Sequence, residues 1–349
     1  MPRETASPSF PAVPIPRPDR VPSVGSISAV TTDGTWISWS GGEGDGAPDV
    51  YRWRPGEAQP QLVWRNPERV AAVDQLVSSG DHYAFVDAGA EVNDTITWHF
   101  WYLPAPGAKA QRLASVTRPV DNRGVVALPA LSQHYLAYSI QRFKGEAVTS
   151  ELVVMDLRTL MSRVIASSDF HQTEYWYPSL DGARLVYGTV EYRNDPLHGE
   201  RHVYLLDLDR GGEPQRLDPE GEASQPDILG DTVVWKTAPF NYNANNWGKV
   251  VQHSLVDGAE TTLDLGASDG YVRPTIGSRF VTAEPDEWSS FGAFDRQSGA
   301  RVVIDSVDPH SPSGFMHPAL AGNLMVYVAA PDFTGIGSEI RYVELPPPS

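Results

Sequence analysis

A ring of seven four-stranded antiparallel blades is the fold this sequence predicts, and three observations carry the prediction. The first is a recurring phrase, a β-branched or apolar pair leading to an aromatic. It appears as TWISW (35–39), HYAF (82–85), YLAY (135–138), RLVY (184–187), TVVW (232–235), RFVT (279–282) and LMVY (324–327). The second is its spacing: the phrases end at 39, 85, 138, 187, 235, 282 and 327, in steps of 46, 53, 49, 48, 47 and 45 residues. The third is turn chemistry, since Asp33-Gly34, Gly80-Asp81, Asp181-Gly182, Gly230-Asp231, Gly277-Ser278 and Gly322-Asn323 each precede a phrase. A strand-like repeat near 48 residues with a tight turn at a fixed place is the signature of a β-propeller, one blade per repeat.

Each repeat reads as strands a to d. Strand a carries a Pro-x-Leu/Ile core: PAL (129–131), PSL (178–180), PDI (226–228), PTI (274–276) and PAL (318–320). Strand b is the aromatic phrase. Strand c is LVVMDL (152–157), VYLLDL (203–208) or IRYVEL (340–345), and strand d is PQRL (214–217) or the looser AQRL (110–113). The a–b turns are tight and the c–d turns short. The b–c connections read as long loops: 40–49, 87–95, 141–150, 191–202, 238–249, 284–290 and 331–339. In a meander the b–c and d–a connections share one face, so elaborated sequence gathers there, where function resides on rigid scaffolds.

The last repeat stops at strand c. Its outer strand is expected from the proline-rich N-terminus, within Phe10 to Pro16, where prolines are tolerable because an outermost strand bonds on one side only. The division that follows is 1–20 as the closing segment, 21–345 as the propeller and 346–349 as a tail.

Composition narrows the function. The net charge of −17 argues against a phosphate-tracking nucleic-acid binder. There are no cysteines, which excludes disulfides, thiolate nucleophiles and Cys-ligated zinc. No stretch approaches the ~18 apolar residues of a membrane helix. The N-terminus lacks the apolar core of a secretion signal, so a cytoplasmic location is the expectation, or an extracytoplasmic one if the start is processed.

At this point the repeats resemble the TolB-type propellers, relatives of the WD-repeat class. YPSLDGARLVYGT (177–189) with HVYLLDLDRGGEPQRL (202–217) is similar to a whole repeat of that type, and the other units match more loosely. The resemblance implies relatives that bind proteins, peptides or glycans, with some lyases and hydrolase-associated domains among them. Its motif is structural and carries no catalytic residue onto this chain.

Candidate site residues come from the register. The residue before the strand a proline is Ala29, Gln75, Leu128, Tyr177, Gln225, Arg273 or His317; two residues earlier lie Ile27, Val73, Val126, Tyr175, Ala223, Tyr271 and Phe315. If both positions ring the channel, Tyr175, Tyr177, Gln225, Tyr271, Arg273 and His317 on blades four to seven form a polar pocket; otherwise they satisfy each other and channel water. Aromatics expected on loops are Trp98, Trp176, Tyr242, Trp247, Trp288 and Phe333, suited to sugars or extended peptides. For an enzyme, His317 would be base, Arg273 anion clamp and Tyr177 acid, with His171 and Glu174 as a second pair. His198, Glu200 and His202 form a thin metal candidate on one loop. No S-x-x-K or phosphate loop occurs. The reading is a cofactor-free binding module for a protein, peptide or glycan, either monomeric or a subunit of an assembly. The alternative is a lyase or hydrolase in the same pocket, possible with metal assistance.

Overall fold

The computed structural model describes residues 15–22, 26–42, 48–67, 72–92, 94–119, 127–145, 147–192, 199–219, 221–237, 249–263, 265, 271–285, 290–306, 314–330 and 338–348. These residues form seven antiparallel sheets of four strands. Strand a of blades one to seven is Ser26–Thr32, Ala72–Ser79, Ala127–Leu131, Thr173–Asp181, Ala223–Leu229, Tyr271–Ile276 and Gly314–Ala321. Six blades are simple meanders. The seventh takes its outer strand from the N-terminus, in the order Asp19–Arg20, Glu339–Glu344, Leu324–Ala330, Gly314–Ala321. The fold is a seven-bladed β-propeller closed by an N-terminal strand. No helix is present among the described residues, so none is long and apolar enough to cross a membrane.

The closing strand falls later than expected. Asp19 pairs with Tyr342 and Arg20 with Arg341, and the Val21 N–H donates to Ile340 O at 2.9 Å. Pro16 and Pro18 have no N–H to give, and Pro22 ends the run, so 19–21 is the stretch that can pair. Of the expected window, residues 10–14 lie outside the described residues.

The core is distributed between blades. Seven buried clusters are present among the described residues, each shared by two consecutive blades. The phrase aromatics supply their largest members: Trp39, Phe85, Tyr138, Tyr187, Trp235 and Tyr327 are all buried. The cluster between blades seven and one contains Val21, Trp39, Trp53 and Val326, so apolar burial as well as hydrogen bonding closes the ring. Neighbouring a–b turns are latched together on the opposite face: Gly80 N–H donates to Asp33 Oδ2 and Gly230 N–H to Asp181 Oδ2.

Two expected loops are strand instead. In blade two, strand b runs His82–Val92 and pairs into Thr95–Leu103; in blade three, Tyr135–Lys144 pairs into Ala147–Asp156. Asp94 and Gly145 take positive φ at the tips (58° and 63°), so a short reversal suffices and the flanking residues stay in the ladder. Trp98 lies on the first of these hairpins, packed against the core between blades two and three.

Candidate functional site

The first strands of the blades enclose a central cavity of about 520 Å³. Its wall is uneven. Blades one to three and seven contribute mainly small or apolar groups such as Val77, Leu128, Ala130 and Ala319, whereas blades four to six contribute Tyr177, Ser179, Gln225, Asp227, Arg273 and Thr275.

The polar wall is built on three of the register shifts that interrupt the first ladder of every blade but the third; blade seven has the same shift, with His317 and Pro318 opposite one residue. In blade four the ladder runs Trp176↔Gly188, then Ser179↔Val186, so Tyr177 and Pro178 stand opposite one residue. Gln225-Pro226 and Arg273-Pro274 repeat this in blades five and six. At each of the bulges in blades four to six the residue before proline is left-handed: Tyr177 at φ 46°, Gln225 at 54° and Arg273 at 51°. A side chain in that region costs on the order of 1–3 kcal/mol, which surrounding structure must overcome. A bulge also re-aims the strand. In blade three, Leu128↔Ser139 and Pro129↔Tyr138 pair without a bulge, and the wall there is apolar.

Hydrogen bonds tie the wall across blades. Gln225 Oε1 accepts the Arg273 N–H at 2.9 Å. Asp227 Oδ1 accepts from the Ser179 hydroxyl at 2.5 Å and from its neighbour Ile228 N–H at 3.0 Å, while Oδ2 accepts the Ile276 N–H at 2.8 Å. Asp227 therefore joins blades four, five and six. Burial pushes its carboxyl up from the usual range, opposed by those three donors. The Arg273 guanidinium makes no hydrogen bond or ion pair among the described residues.

Of the residues expected at the pocket, Tyr177, Gln225 and Arg273 line it together. Tyr175 does not. It packs between blades three and four, its ring 6.3 Å from that of Tyr187, and its N–H donates to Ser150 Oγ. Three others of the expected second ring behave alike: Val73, Ala223 and Phe315 are buried in cores between blades. The extra bulge residue inverts the alternation, so positions two apart across it face opposite ways. Tyr271 and His317 sit on the first strands of blades six and seven, with their side chains outside the described atoms. Tyr242, Trp247, Trp288, Phe333 and His198 lie outside the described residues.

Trp176 is a strand residue rather than a loop aromatic. Its indole N–H donates to Glu174, and its ring stacks on Tyr177 with centroids 5.9 Å apart. Glu174, 5 % exposed, also accepts the Tyr192 hydroxyl at 2.7 Å. Burial pushes its carboxyl up, against those two hydrogen bonds and the charges of Arg201 and His171. With both oxygens engaged, Glu174 holds Trp176 and, through it, Tyr177. His171 lies in the turn before this strand, its N–H donating to Asp169.

The metal candidate is described only in part, because His198 lies outside the described residues. His202 is wholly buried, with Nδ1 3.1 Å from Asp218 Oδ2, and Asp218 also accepts from Val203 N–H and Gly221 N–H. That arrangement fastens strand c of blade four to the turn beyond strand d. Glu200 approaches Nε2 at 3.4 Å. Among the described residues no group of three metal-ligating side chains converges.

The sequence reading missed Ser179, Asp227 and Thr275. They occupy the position after the strand a proline, where the other blades have Thr31, Val77, Ala130 and Ala319. The same alignment held that ring, two residues along.

No family model matches the chain, and no curated protein matches it. Solved structures do. The β-propeller domain of the Trilobed protease from Pyrococcus furiosus superposes with a TM-score of 0.61 at 12 % identity, over 92 % of this chain and 96 % of that one. An oligogalacturonate lyase solved with manganese gives 0.60 at 11 % identity, over 96 % and 97 %. A prolyl endopeptidase gives 0.61 at 15 % identity over 93 % of this chain, which spans about half (48 %) of that protein's length. At these identities the likeness is one of fold, and what it shows is a seven-bladed β-propeller.

Proposed function

We propose that the protein is a binding propeller of the TolB type, taking a polar ligand in the central cavity and holding the ligand's anionic group on Arg273. The observation that carries this is the coincidence of three features on blades four to six. Left-handed, non-glycine residues recur at the same register, they face one cavity, and the cation among them has no partner among the described residues. Strained backbone repeated in three neighbouring blades presents Tyr177, Gln225 and Arg273 together, and such strain is retained where it serves a site. A cavity of about 520 Å³ is within the ~300–1,000 Å³ of small-molecule sites, so a peptide terminus or an acidic sugar is of the right size.

A thermal-shift panel of carboxylates, phosphates, acidic sugars and short peptides tests this on the full chain and on Arg273→Ala. The expected result is stabilisation of the full chain by at least one anionic class and none of the variant. A panel without any Arg273-dependent shift would sink the reading.

The second reading is a lyase or hydrolase at the same wall, supported by the likeness of fold to oligogalacturonate lyase and to peptidase propellers. Tyr177 and Arg273 would then act as proton donor and anion clamp, with His317 as base. Product formation from any ligand that shifts the melt would favour it over the binding module.

A further inference from the structure

Arg273 and Asp227 lie on one wall of the cavity, on adjacent blades, and do not pair with each other; the three donors to Asp227 favour its carboxylate against the burial that opposes it. Relative to the strand a prolines, Arg273 is level with Gln225, and Asp227 is level with Thr275. The two levels are two residues apart along the strand, and the bulge at each proline shortens the ordinary rise of ~3.3 Å per residue, so they differ in depth by roughly 3–7 Å. Asp227 has three donors for its four lone-pair sites, two on Oδ1 and one on Oδ2, so Oδ2 retains an accepting position. The Arg273 guanidinium retains all of its donors among the described residues. Charges left in this state on a cavity wall are costly, and a ligand that neutralises both gains from each.

We propose that the cavity takes a short zwitterionic peptide, its terminal carboxylate on Arg273 and its terminal ammonium on Asp227. This rests on the reading of Arg273 as an anion site. A free amino acid bears both charges on one Cα, too close for two groups at different depths. A peptide gains ~3.3–3.6 Å per extended residue, so two or three residues place the termini at the required separation. Tyr177 and Gln225, at the upper level, offer a phenol and an amide to the intervening backbone.

Calorimetric titration of the full chain with triglycine, N-acetyl-triglycine, triglycine amide, glycine and glutarate tests the proposal. Triglycine is expected to bind, with acetylation and amidation each weakening it by about tenfold or more, and glycine weaker still. In Arg273→Ala, triglycine and its amide should bind equally weakly. Asp227→Asn would turn an amide N–H toward the Ile276 N–H and risks misfolding, so capping the ligand's amine replaces that variant. If N-acetyl-triglycine or glutarate binds as tightly as triglycine, in an Arg273-dependent manner, the zwitterion proposal falls while the anion site stands. If triglycine shows no Arg273-dependent binding but an acidic sugar or phosphate does, the peptide class is wrong. If nothing binds through Arg273, both readings fall.

Discussion

Gln225 accepts the backbone N–H of Arg273 through its side-chain Oε1, at 2.9 Å, so one left-handed residue of the wall fixes the next. Removing the amide in Gln225→Ala leaves that N–H without its partner beside the cavity. Losing a partner for a polar group costs about 1–3 kcal/mol when the group is dry; channel water reduces this, so about 1 kcal/mol is expected. Denaturant unfolding measures it. Gln225→Glu keeps the acceptor and should recover most of the loss, which separates the hydrogen bond from the volume of the side chain.

The bulge predicts an inverted response to glycine. At Arg273, φ is 51°, a conformation that glycine adopts freely and alanine does not. Leu128 holds the same place in blade three within a regular ladder. Leu128→Gly should therefore be less stable than Leu128→Ala by roughly 0.5–1 kcal/mol, the ordinary cost of glycine in a strand. Arg273→Gly should be at least as stable as Arg273→Ala, because relief of about 1–2 kcal/mol of left-handed strain offsets the entropy. Paired thermal melts of the four variants decide it. The same ordering at both sites would remove strain from the account of the wall.

These two positions also show how far the sequence could be read. Blade number and period are written in the aromatic phrase, because every blade must bury one aromatic between its neighbours, as Trp39, Tyr187 and Tyr327 do. The wall was half legible. Tyr177, Gln225 and Arg273 were found from their place before proline, but Tyr175 was misplaced because simple alternation was carried through a bulge. A bulge has no residue signature when the left-handed position is filled by Tyr, Gln or Arg instead of glycine. Asp227 escaped notice because it stands at the variable middle place of the strand a core, PDI (226–228), where only its donors on blades four and six reveal it. The hairpins of blades two and three were taken for loops because polar strand that projects beyond a core has loop-like composition.

Acid should weaken the outer half of blade six. Asp295 is fully buried and receives two bonds from Arg279, Nε to Oδ1 at 2.8 Å and Nη2 to Oδ2 at 2.7 Å. Burial opposes its ionisation, but Arg279, the Ser298 hydroxyl and the Gln297 N–H outweigh it and hold the carboxyl at about 2. Folding thus lowers this pKa from an unfolded value of ~3.9, and the stability gained is present above pH ~4 and lost as pH falls toward 2. The difference is worth roughly 2.5 kcal/mol. Urea midpoints between pH 7 and pH 2.5 should drop for the wild-type chain, and Asp295→Asn should lose stability at pH 7 and show a flatter decline. A variant with the wild-type acid slope would mean that other carboxylates govern it.

The ring closure gives the last prediction. Val21 is buried in the cluster between blades seven and one, and its N–H extends the two-residue ladder of Asp19 and Arg20 along Ile340–Tyr342. Ile15 packs on the cluster between blades six and seven. A chain starting after Pro22 loses these contacts and exposes the edge of Glu339–Glu344 to other chains. Burial of one Val and one Ile is worth about 1.5–3 kcal/mol each at full exposure of the alternative, and the ladder bonds add ~0.5–1.5 kcal/mol apiece. At ~2–4 °C per kcal/mol for a chain larger than 150 residues, the melting temperature should fall by roughly 10 °C. Val21→Ser keeps the ladder but removes the apolar contact and should give about a third of that drop. The truncated chain should also sediment as a mixture of oligomers, since an open blade edge is free to pair. An unchanged melt in the truncated chain would show that the blades hold the ring without the strand, and that the apolar contacts across blades seven and one suffice to close it.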